Sequence, residues 1–353
     1  MKNTKYLITG GAGFIGSHMV RNLAANPKND ILVIDKFTYA ANLSNIKNAL
    51  KNKNCRLSII DICNYKSIKK CIFFFKPDII INFAAESHVD RSIDGNLPFL
   101  KSNVIGTYNL LESYRNLLKH NSNRKNKSLF LHVSTDEVYG DLKKKKLFTE
   151  KTRYDPSSPY SSTKASSDML VNAWSKTYKM PCIISNCSNN YGSHQHPEKL
   201  IPHMIISALQ GKNLPVYGDG RQIRDWIYVN DHIEALKIII KKGKKGEHYN
   251  IGGNNTIRNI NLIRKICSIL DFFLKKKKSE SFIKKIIFVK DRPAHDTKYA
   301  VCSKKISTEL GWHPSTNFNH QLKLTIKWYL DNENWWKNTI NKKNKLKRIG
   351  LMK

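Results

Sequence analysis

The chain has 353 residues, of which 40% are hydrophobic and 25% charged, so it can bury a large core and does not belong to the disordered class. Its 61 Lys and Arg against 27 Asp and Glu give a net charge of +34. The longest apolar runs, such as residues 72–75, are interrupted by charged residues, which excludes a membrane-spanning protein.

The first predicted element is a strand over residues 6–9, which runs into the glycine-rich loop GGAGFIG at residues 10–16. Ile15, Met19 and Leu23 recur at helical spacing, so a helix begins within this loop. A strand before and a helix after are the context in which such a loop binds a dinucleotide. The glycines let the backbone approach the pyrophosphate, which lies on the helix N-terminus.

The second predicted strand covers residues 31–34 and ends at Asp35, nineteen residues after Gly16. An acidic side chain there accepts hydrogen bonds from the adenosine ribose and repels a 2′-phosphate. The position therefore predicts NAD rather than NADP, although the neighbouring Lys36 offsets part of the repulsion. An ordinary carboxylate at the end of a strand is the alternative interpretation.

Four further elements are predicted: strands over residues 56–60, 78–83 and 129–133, and a helix over residues 103–118. Strands that alternate with helices predict an α/β fold, here a Rossmann-type doubly wound parallel sheet. From residue 187 onward, short polar clusters separate brief elements and predict a smaller C-terminal α/β lobe that binds substrate. We therefore divide the chain into residues 1–186, which bind NAD, and residues 187–353, some of which return to the sheet.

A hydroxyl and two acids, Thr135, Asp136 and Glu137, come just after the last of these strands. In an open α/β sheet, that end of a strand is where ligands bind. Tyr160 and Lys164 are spaced i, i+4, which places both side chains on one face of a helix. An ammonium beside a phenol favours the phenolate and pulls its pKa from about 10 toward neutrality. These five side chains are the predicted catalytic set, with Tyr160 as the base for a sugar alcohol.

Arg224 and Arg292 are candidate ligands in the C-terminal half, because the fork geometry of a guanidinium matches a diphosphate. Considered one at a time, each is more typical of a surface arginine. The last predicted helix covers residues 322–330, and we expect the basic tail after it to be frayed.

Seven cysteines stand at positions 55, 63, 71, 182, 187, 267 and 302, with no C-x-x-C motif. An odd count without such spacing predicts reduced thiols, as in a cytoplasmic protein. No histidine cluster supplies metal-ligand spacing, so we expect no metal site. The first apolar run stops at the glycine loop and is too short for a signal peptide.

The excess of positive charge has two interpretations, a nucleic-acid or anionic-surface partner and a general enrichment in lysine. Lysines are spread along the whole chain, with lysine-rich runs at residues 143–146, 275–278 and 342–347. No patch of interleaved aromatic residues accompanies them, which favours general enrichment over nucleic-acid binding. The positive field would still attract an anionic substrate.

The glycine loop and the paired tyrosine and lysine together resemble the extended short-chain dehydrogenase/reductase family, over about residues 5–336. Within that family, the run STDEVYG at residues 134–140 resembles the sugar-nucleotide 4,6-dehydratases, since the related 4-epimerases lack the Asp-Glu pair. Two departures from the pattern are present: Ala294 replaces a glycine, and Ser193 replaces a proline. The alanine predicts backbone strain in the loop that would hold the diphosphate.

The resemblance implies NAD as the cofactor and a sugar nucleotide as the substrate, with dTDP-glucose first and UDP-glucose as the alternative. The residues that would line NAD are Gly10, Gly13, Phe14, Ile15, Gly16, Asp35, Lys36, Phe37, Thr38, Asp61, Ile62, Ala84, Ala85, Ser87, Asn103, Tyr160, Lys164 and Asn190. Those that would line the sugar nucleotide are His88, Thr135, Asn189, Lys199, Leu200, Pro215, Val216, Tyr217, Arg224, Asn255, Asp291, Arg292, His295 and Asp296.

The resemblance also implies the order of the reaction. Tyr160 takes a proton from the sugar O4 while Thr135 holds the alcohol and the C4 hydride passes to NAD. Glu137 then removes the C5 proton, and protonated Asp136 donates to the C6 hydroxyl as water leaves. The hydride returns to C6 and gives a 4-keto-6-deoxy sugar. Neighbouring carboxyl groups can hold opposite protonation states because one charge raises the pKa of the other.

Apolar faces on residues 103–118 and 160–178 resemble the paired helices through which the family forms homodimers. An NAD-dependent epimerase of the same family is the alternative enzyme. A basic nucleic-acid-binding Rossmann protein with an inactive site is the alternative from another class, and the intact catalytic set argues against it.

Overall fold

The computed structural model of the protein describes residues 3–120, 127–142, 147–315 and 317–341. The predicted lysine-rich runs at residues 143–146 and 342–347 lie outside the described residues. Within the four described ranges, no helix is long and apolar enough to cross a lipid bilayer.

The described residues form twelve strands: β1 Thr4–Thr9, β2 Asn29–Asp35, β3 Cys55–Ile59, β4 Ile79–Asn82, β5 Leu129–Thr135, β6 Cys182–Cys187, β7 Asn189–Tyr191, β8 Leu214–Tyr217, β9 Ile223–Tyr228, β10 His248–Ile251, β11 Thr256–Arg258 and β12 Ile286–Val289. In the same ranges there are twelve α-helices: α1 Phe14–Ala24, α2 Tyr65–Phe75, α3 Val89–Asp94, α4 Leu97–Phe99, α5 Gly106–His120, α6 Pro159–Tyr178, α7 Leu200–Leu209, α8 Val229–Lys242, α9 Asn259–Phe273, α10 Lys304–Leu310, α11 Phe318–Asp331 and α12 Glu333–Asn341.

Seven of the described strands form one parallel sheet, in the order β10-β6-β5-β4-β1-β2-β3. Its central strands are buried on both faces, and every residue of β4 and β5 is buried. Runs of Ile, Leu and Val suit such strands because helices cover both faces of a parallel sheet. The predicted fold class is confirmed, and each strand predicted in the first half of the chain forms within two residues of its expected bounds.

The start of α6 shows how local sequence places the catalytic pair. Ser158 and Ser161 form a capping box, in which each hydroxyl accepts a hydrogen bond from the other residue's main-chain amide, at 3.1 and 3.0 Å. Pro159 supplies the fixed φ of the first helical position. The helix therefore begins one residue before Tyr160 and keeps Tyr160 and Lys164 buried on one face.

The helix predicted over residues 103–118 forms as α5, preceded by a π-helical segment, Leu100–Ile105. The helix predicted over residues 322–330 forms within α11. The expectation of a frayed chain after it is wrong for residues 333–341, which form α12. Trp336 is only 1% exposed, so burial of its indole ring stabilises this last helix.

The described part of the C-terminal lobe contains a three-stranded sheet, β11-β9-β7, and a two-stranded sheet, β12-β8. Helices α7, α9 and α11 pack around a core that includes Tyr191, Trp226 and Tyr329. The chain also returns to the large sheet, since β10 pairs in parallel with β6 and α8 packs against α1. The boundary predicted between residues 186 and 187 falls inside β6, and this division of the chain stays a prediction.

Candidate active site

Two adjoining cavities open at the carboxyl ends of the parallel strands, where open α/β sheets bind ligands. The sheet cavity, of about 290 Å³, lies over the glycine loop and the ends of β1, β2, β4 and β5. The interlobe cavity, of about 210 Å³, lies between the large sheet and the C-terminal lobe. Glu137, Asn189 and Lys199 line both cavities, so ligands in the two cavities would meet at these residues.

The glycine loop forms one wall of the sheet cavity. Gly10 has φ +64°, and a Cβ there would lie 2.7 Å from the main-chain nitrogen of Ala84, after β4. A Cβ on Gly16 would collide with the carbonyl oxygen of Gly10. Helix α1 begins directly behind the loop, at Phe14. Its first amides and its dipole attract a pyrophosphate, which the missing side chains allow to come close.

Asp35, at the end of β2, lines the sheet cavity and is fixed by main-chain amides. Its Oδ2 accepts from Ala12 N at 3.0 Å, and its Oδ1 accepts from Phe37 N at 2.9 Å. Each oxygen keeps a second lone pair that can accept from a ribose hydroxyl. Burial raises the pKa of Asp35, while these amides and Lys36 oppose the rise. Lys36 Nζ also lies 3.6 Å from Asp61 Oδ2, so its charge is shared between two carboxylates.

Asp136 and Glu137 lie on a 3₁₀ turn, Asp136–Tyr139; Glu137 lines both cavities and Asp136 lines the sheet cavity. Thr135 begins this turn, since its Oγ1 accepts from Glu137 N at 3.3 Å. Burial raises the pKa of Asp136 well above its usual range, and the charge of Glu137 raises it further. Burial also raises the pKa of Glu137, but Arg292 and Arg224 oppose the rise. The pKa of both carboxyl groups is thus raised, and that of Asp136 is raised further, so Asp136 holds its proton more strongly than Glu137 does.

Tyr160 is buried beside this acid pair. Burial raises the pKa of Tyr160 well above its usual value, and the charge of Glu137 raises it further. Lys164 Nζ donates to Val133 O at 2.9 Å and lies 3.3 Å from His132 Nε2. The predicted lowering of the phenol pKa by Lys164 is therefore wrong for this arrangement, because the ammonium is directed at the end of β5 and burial dominates.

Behind Lys164, Asp168 is the centre of a buried hydrogen-bond network. It accepts from Ser134 Oγ at 2.9 Å, from Tyr154 OH at 2.9 Å and from Asn186 Nδ2 at 3.2 Å. Sequence analysis missed this residue, although it lies four positions after Lys164, on the same helix face. A buried network with this many partners holds the ends of β5 and β6 in place.

Ten of the predicted substrate residues line the interlobe cavity: His88, Asn189, Lys199, Leu200, Pro215, Val216, Tyr217, Arg224, Arg292 and His295. Arg224 is only 5% exposed, so the alternative of a surface arginine is wrong. Its Nη2 donates to Asp296 O at 2.9 Å, and its guanidinium lies 4.3 Å from the centre of the Tyr299 ring. Arg292 Nη1 lies 3.1 Å from Asp90 Oδ1. Both guanidinium groups are thus held in fixed orientations at the cavity wall.

Fifteen of the predicted cofactor residues line the sheet cavity: Gly10, Gly13, Phe14, Ile15, Gly16, Asp35, Lys36, Thr38, Ile62, Ala84, Ala85, Ser87, Tyr160, Lys164 and Asn190. Thr135, predicted to contact the substrate, lines this cavity as well. Because Thr135 stands next to the acid pair, it lies at the point where the two cavities join.

Six predicted residues line neither cavity: Phe37, Asp61, Asn103, Asn255, Asp291 and Asp296. Asn103 supports the loop after β4 from behind, since its side chain exchanges hydrogen bonds with the main chain of Glu86, at 2.9 and 3.0 Å. Asp291 Oδ1 lies 2.6 Å from His295 Nδ1 and orients that ring, which does line the interlobe cavity. A motif thus contains both residues that face a ligand and residues that support them.

Sequence analysis also missed Glu198, which lines both cavities. Arg91 Nε lies 3.1 Å and His196 Nδ1 3.6 Å from its carboxylate. Burial raises the pKa of Glu198, but the basic side chains around it, His88 and His196 first and then Lys199 and Arg91, lower it overall. The available signal was its position directly before Lys199 and Leu200, two predicted substrate residues.

The two departures from the family pattern differ in their effect on the backbone. Ala294 has φ +49°, in the left-handed region that favours glycine. An alanine in that region costs about 1–2 kcal/mol, so the predicted strain is present. Ser193 contacts His18 through both main chain and side chain, since its carbonyl oxygen lies 3.0 Å and its Oγ 3.4 Å from His18 Nε2.

The sheet order, the glycine loop and the acid at the end of β2 define a Rossmann-type dinucleotide-binding protein. The chain belongs to the family described as GDP-mannose 4,6 dehydratase, whose model matches residues 7–325. It is 47% identical over 353 residues to the dTDP-glucose 4,6-dehydratase of Neisseria meningitidis serogroup B, with 99% of each chain covered.

Solved structures give the same grouping. A dTDP-glucose 4,6-dehydratase from Bacillus anthracis, solved in complex with NAD, is 42% identical with a TM-score of 0.83, over 95% of this chain and 99% of that chain. One from Streptomyces venezuelae, with NAD and TYD bound, is 37% identical with a TM-score of 0.87, over 95% of this chain and 100% of that chain. The predicted resemblance to the sugar-nucleotide 4,6-dehydratases is confirmed.

Proposed function

We propose that the protein is an NAD-dependent hydro-lyase that converts dTDP-glucose to dTDP-4-keto-6-deoxyglucose. The observation that carries this proposal is the acid pair, Asp136 and Glu137, in the wall between the two cavities and beside Tyr160. An enzyme that only oxidised and reduced C4 would need the tyrosine. It would not need two adjacent carboxyl groups, one buried and one half-buried, of which one has its pKa raised further than the other.

NAD fits the sheet cavity by the shape and charge of its walls. The glycine loop leaves room for the pyrophosphate, α1 offers its N-terminus, and Asp35 presents carboxylate lone pairs to the ribose. The preference for NAD over NADP rests on that carboxylate. When bound, NAD accepts a hydride from C4 of the sugar and later returns it to C6.

Tyr160 is the base that removes the proton from O4 of the sugar, and Thr135 holds the same oxygen in place. Because burial raises the pKa of the phenol, its ionisation depends on positive charge nearby. The Lys164 ammonium is directed at Val133 O, so the positive ring of bound oxidised cofactor would supply that charge. Arg224 and Arg292, held at the wall of the interlobe cavity, bind the diphosphate.

Loss of water across C5 and C6 is the task of the acid pair. Glu137, the carboxylate, removes the C5 proton, which the ketone at C4 has made acidic. Asp136 keeps its proton because burial raises its pKa, so it can donate that proton to the C6 oxygen as water leaves. Each group thus does the step that its protonation state allows.

Substrate that carries deuterium at C4 tests the proposal. The deuterium should appear at C6 of the product, the proton at C5 should come from solvent, and no net NADH should accumulate. Deuterium that returns to C4 would contradict the dehydratase and favour the epimerase, whereas deuterium that exchanges with solvent would contradict both. Parallel incubations with dTDP-glucose and UDP-glucose, assayed for the 4-keto product, decide the nucleobase.

We infer that two copies of the chain form a homodimer through α5 and α6. Tyr108, Met169 and Tyr178 on these helices are apolar or aromatic and between 40% and 55% exposed. Self-pairing of one patch about a two-fold axis is the commonest oligomer geometry. Light scattering at micromolar protein should give the mass of two chains, and the mass of one chain would contradict the inference.

We also infer that the protein works in the cytoplasm. All seven cysteines lie in the described ranges, and each is a free thiol there. Free thiols persist in reducing compartments. Alkylation of cells at the moment of lysis should therefore find these cysteines reduced, and an oxidised pair would contradict the inference.

A further inference from the structure

Helix α12 lies between the two lobes and contacts both. Trp336 faces the C-terminal lobe, where it is 1% exposed and its Nε1 donates to Tyr329 O at 3.0 Å. The neighbouring Trp335 packs against the same core, but its Nε1 donates at 2.9 Å to Asn45 Oδ1, in the segment between β2 and β3 of the large sheet. Two adjacent indole N–H groups therefore have the same chemistry but different partners.

The bond from Trp335 continues to the wall of the sheet cavity. Asn45, which is 3% exposed, donates from Nδ2 to Ala12 O at 3.0 Å. Ala12 N in turn donates to Asp35 Oδ2 at 3.0 Å. Three consecutive hydrogen bonds thus connect a side chain near the C-terminus with the carboxylate that faces the ribose. The bonds from Asn45 and from Ala12 are buried and the bond from Trp335 is partly buried, and buried bonds fix position strongly because water does not compete for them.

A second connection runs one helical turn further along α12. Asn42 Nδ2 donates to Thr339 Oγ1 at 3.2 Å, and Asn42 N donates to Ala12 O at 3.1 Å. Ala40 and Ala41, directly before Asn42, line the sheet cavity. Both connections therefore meet at the carbonyl of Ala12, inside the glycine loop.

Aromatic rings form a third connection from the same helix. The rings of Trp335 and His194, of His194 and His18, and of His18 and Phe14 each have centres 5.8 Å apart. Phe14 lines the sheet cavity. At the end of the helix, Ile340 lines the interlobe cavity, so α12 contributes to the surroundings of both.

We propose that Trp335 and Thr339 are positioning residues for the cofactor, acting on the glycine loop through Asn45 and Asn42. The inference rests on the proposed function, in that the ligand of the sheet cavity is NAD. The reaction uses the reduced cofactor in the site where it was formed, so a loop held from the second lobe would slow its escape. Neither side chain lines the sheet cavity itself, so the effect passes through Ala12 and Asp35.

Trp335→Phe tests the proposal because it keeps a ring against His194 and Trp328 and removes the N–H donor. The dissociation constant for NAD should rise about fivefold, the effect of one lost buried hydrogen bond, with faster loss of NAD on desalting. Trp336→Phe is the matched control, since it removes the same donor from a bond within one lobe. It should lower the melting temperature but leave NAD affinity unchanged.

A double substitution shows whether the effect passes through Asn45. If it does, Asn45→Ala combined with Trp335→Phe should bind NAD no more weakly than Asn45→Ala alone. Thr339→Val, a smaller change, should raise the dissociation constant about twofold through Asn42.

The outcomes separate this inference from the proposed function. Suppose that the wild-type protein binds NAD and turns over. If Trp335→Phe and Thr339→Val then bind NAD as tightly as wild type, the inference is overturned and the proposed function stands. Equal weakening by both tryptophan variants would also overturn it, because a general loss of stability would then explain the result. Failure of the unchanged protein to bind NAD would overturn both.

Discussion

The sheet cavity and the interlobe cavity share a wall but are built differently. The glycine-loop side of the sheet cavity is formed by main chain and small side chains at the ends of neighbouring strands, so the sheet itself sets its shape there. The interlobe cavity is formed by long charged side chains from distant segments, such as Asp90 and Arg292. The difference teaches that the cofactor half of the site depends on backbone geometry and the substrate half on buried charges that balance one another.

Substitutions in the shared wall should have the largest effect, because they act on both cavities. Glu137→Gln should lower turnover at least about 100-fold, the usual contribution of a positioned base. It should still permit the first oxidation, so bound NADH accumulates and is detected by its absorbance. Tyr160→Phe should lose turnover to a similar extent but give no NADH signal, since it blocks the oxidation.

A single-turnover absorbance measurement separates these two variants. Glu234→Gln is the matched control, since it changes an exposed acid on α8 that pairs with Lys237 at 2.9 Å. It should turn over like the unchanged protein. Normal turnover by Glu137→Gln would show that the acid pair does not remove water. It would also contradict the expectation that substitutions in the shared wall have the largest effect.

Acid should destabilise the protein through its buried histidines, of which His88 and His295 line the interlobe cavity. Burial lowers the pKa of His88 and His295 to about 4 and that of His232 to about 3. In the unfolded chain their pKa is about 6.5, so between these values the unfolded state binds more protons. Their contribution to stability is therefore complete above pH 6.5 and is lost as the pH falls toward 4.

In His232→Asn, the free energy of unfolding should change with pH by about 1 kcal/mol per pH unit less than in the wild-type protein, over the pH range between the folded and unfolded pKa values of this histidine. Asparagine does not titrate, and its amide can still donate to Asn190 Oδ1, which lies 2.8 Å from His232 Nδ1. Denaturant unfolding at a series of pH values measures the free energy of unfolding in both proteins. If the free energy of unfolding depends on pH equally in both proteins, the buried His232 does not contribute to the sensitivity to acid.

The smallest expected effect concerns Ala294, between two residues that line the interlobe cavity, Arg292 and His295. Ala294→Gly should raise the free energy of unfolding by about 1 kcal/mol, because it removes the strain of a Cβ at φ +49°. Ala25→Gly is the matched control at φ −64°, where the same substitution should lower it by roughly 0.5–1 kcal/mol. A decrease in both variants would mean that the turn is unstrained.

Most of the sheet cavity could be predicted because its determinants are local in sequence. The first strand, the glycine loop and α1 follow one another directly, and Asp35 stands at the end of the next strand. The spacing of Tyr160 and Lys164 likewise follows from one helix. Alternating strands and helices bring all these points to one edge of the sheet, which is why the fold and the catalytic residues could be expected together.

The features of the fold and site that could not be predicted depend on contacts between residues far apart in the sequence, which the spacing of residues does not reveal. Trp335 and Asn45 are 290 residues apart in the chain and 2.9 Å apart in space. Helical spacing placed Lys164 on the correct face, but Val133 O decides where its ammonium points, so the expected effect on the phenol was wrong. The predicted fraying overlooked α12, because only the packed lobe shows that Trp336 is buried.

The strand that completes the large sheet beyond β6 arrives late in synthesis. Ile184 on β6 pairs with His248 on β10, so the ribosome must deliver α7, β8, β9 and α8 before this edge can close. All six residues of β6 are buried in the finished protein, and until then they form an apolar edge open to other chains. Long-range pairing of this kind is slow, so the nascent chain has a period in which a chaperone that shields β6 would raise the yield of folded enzyme.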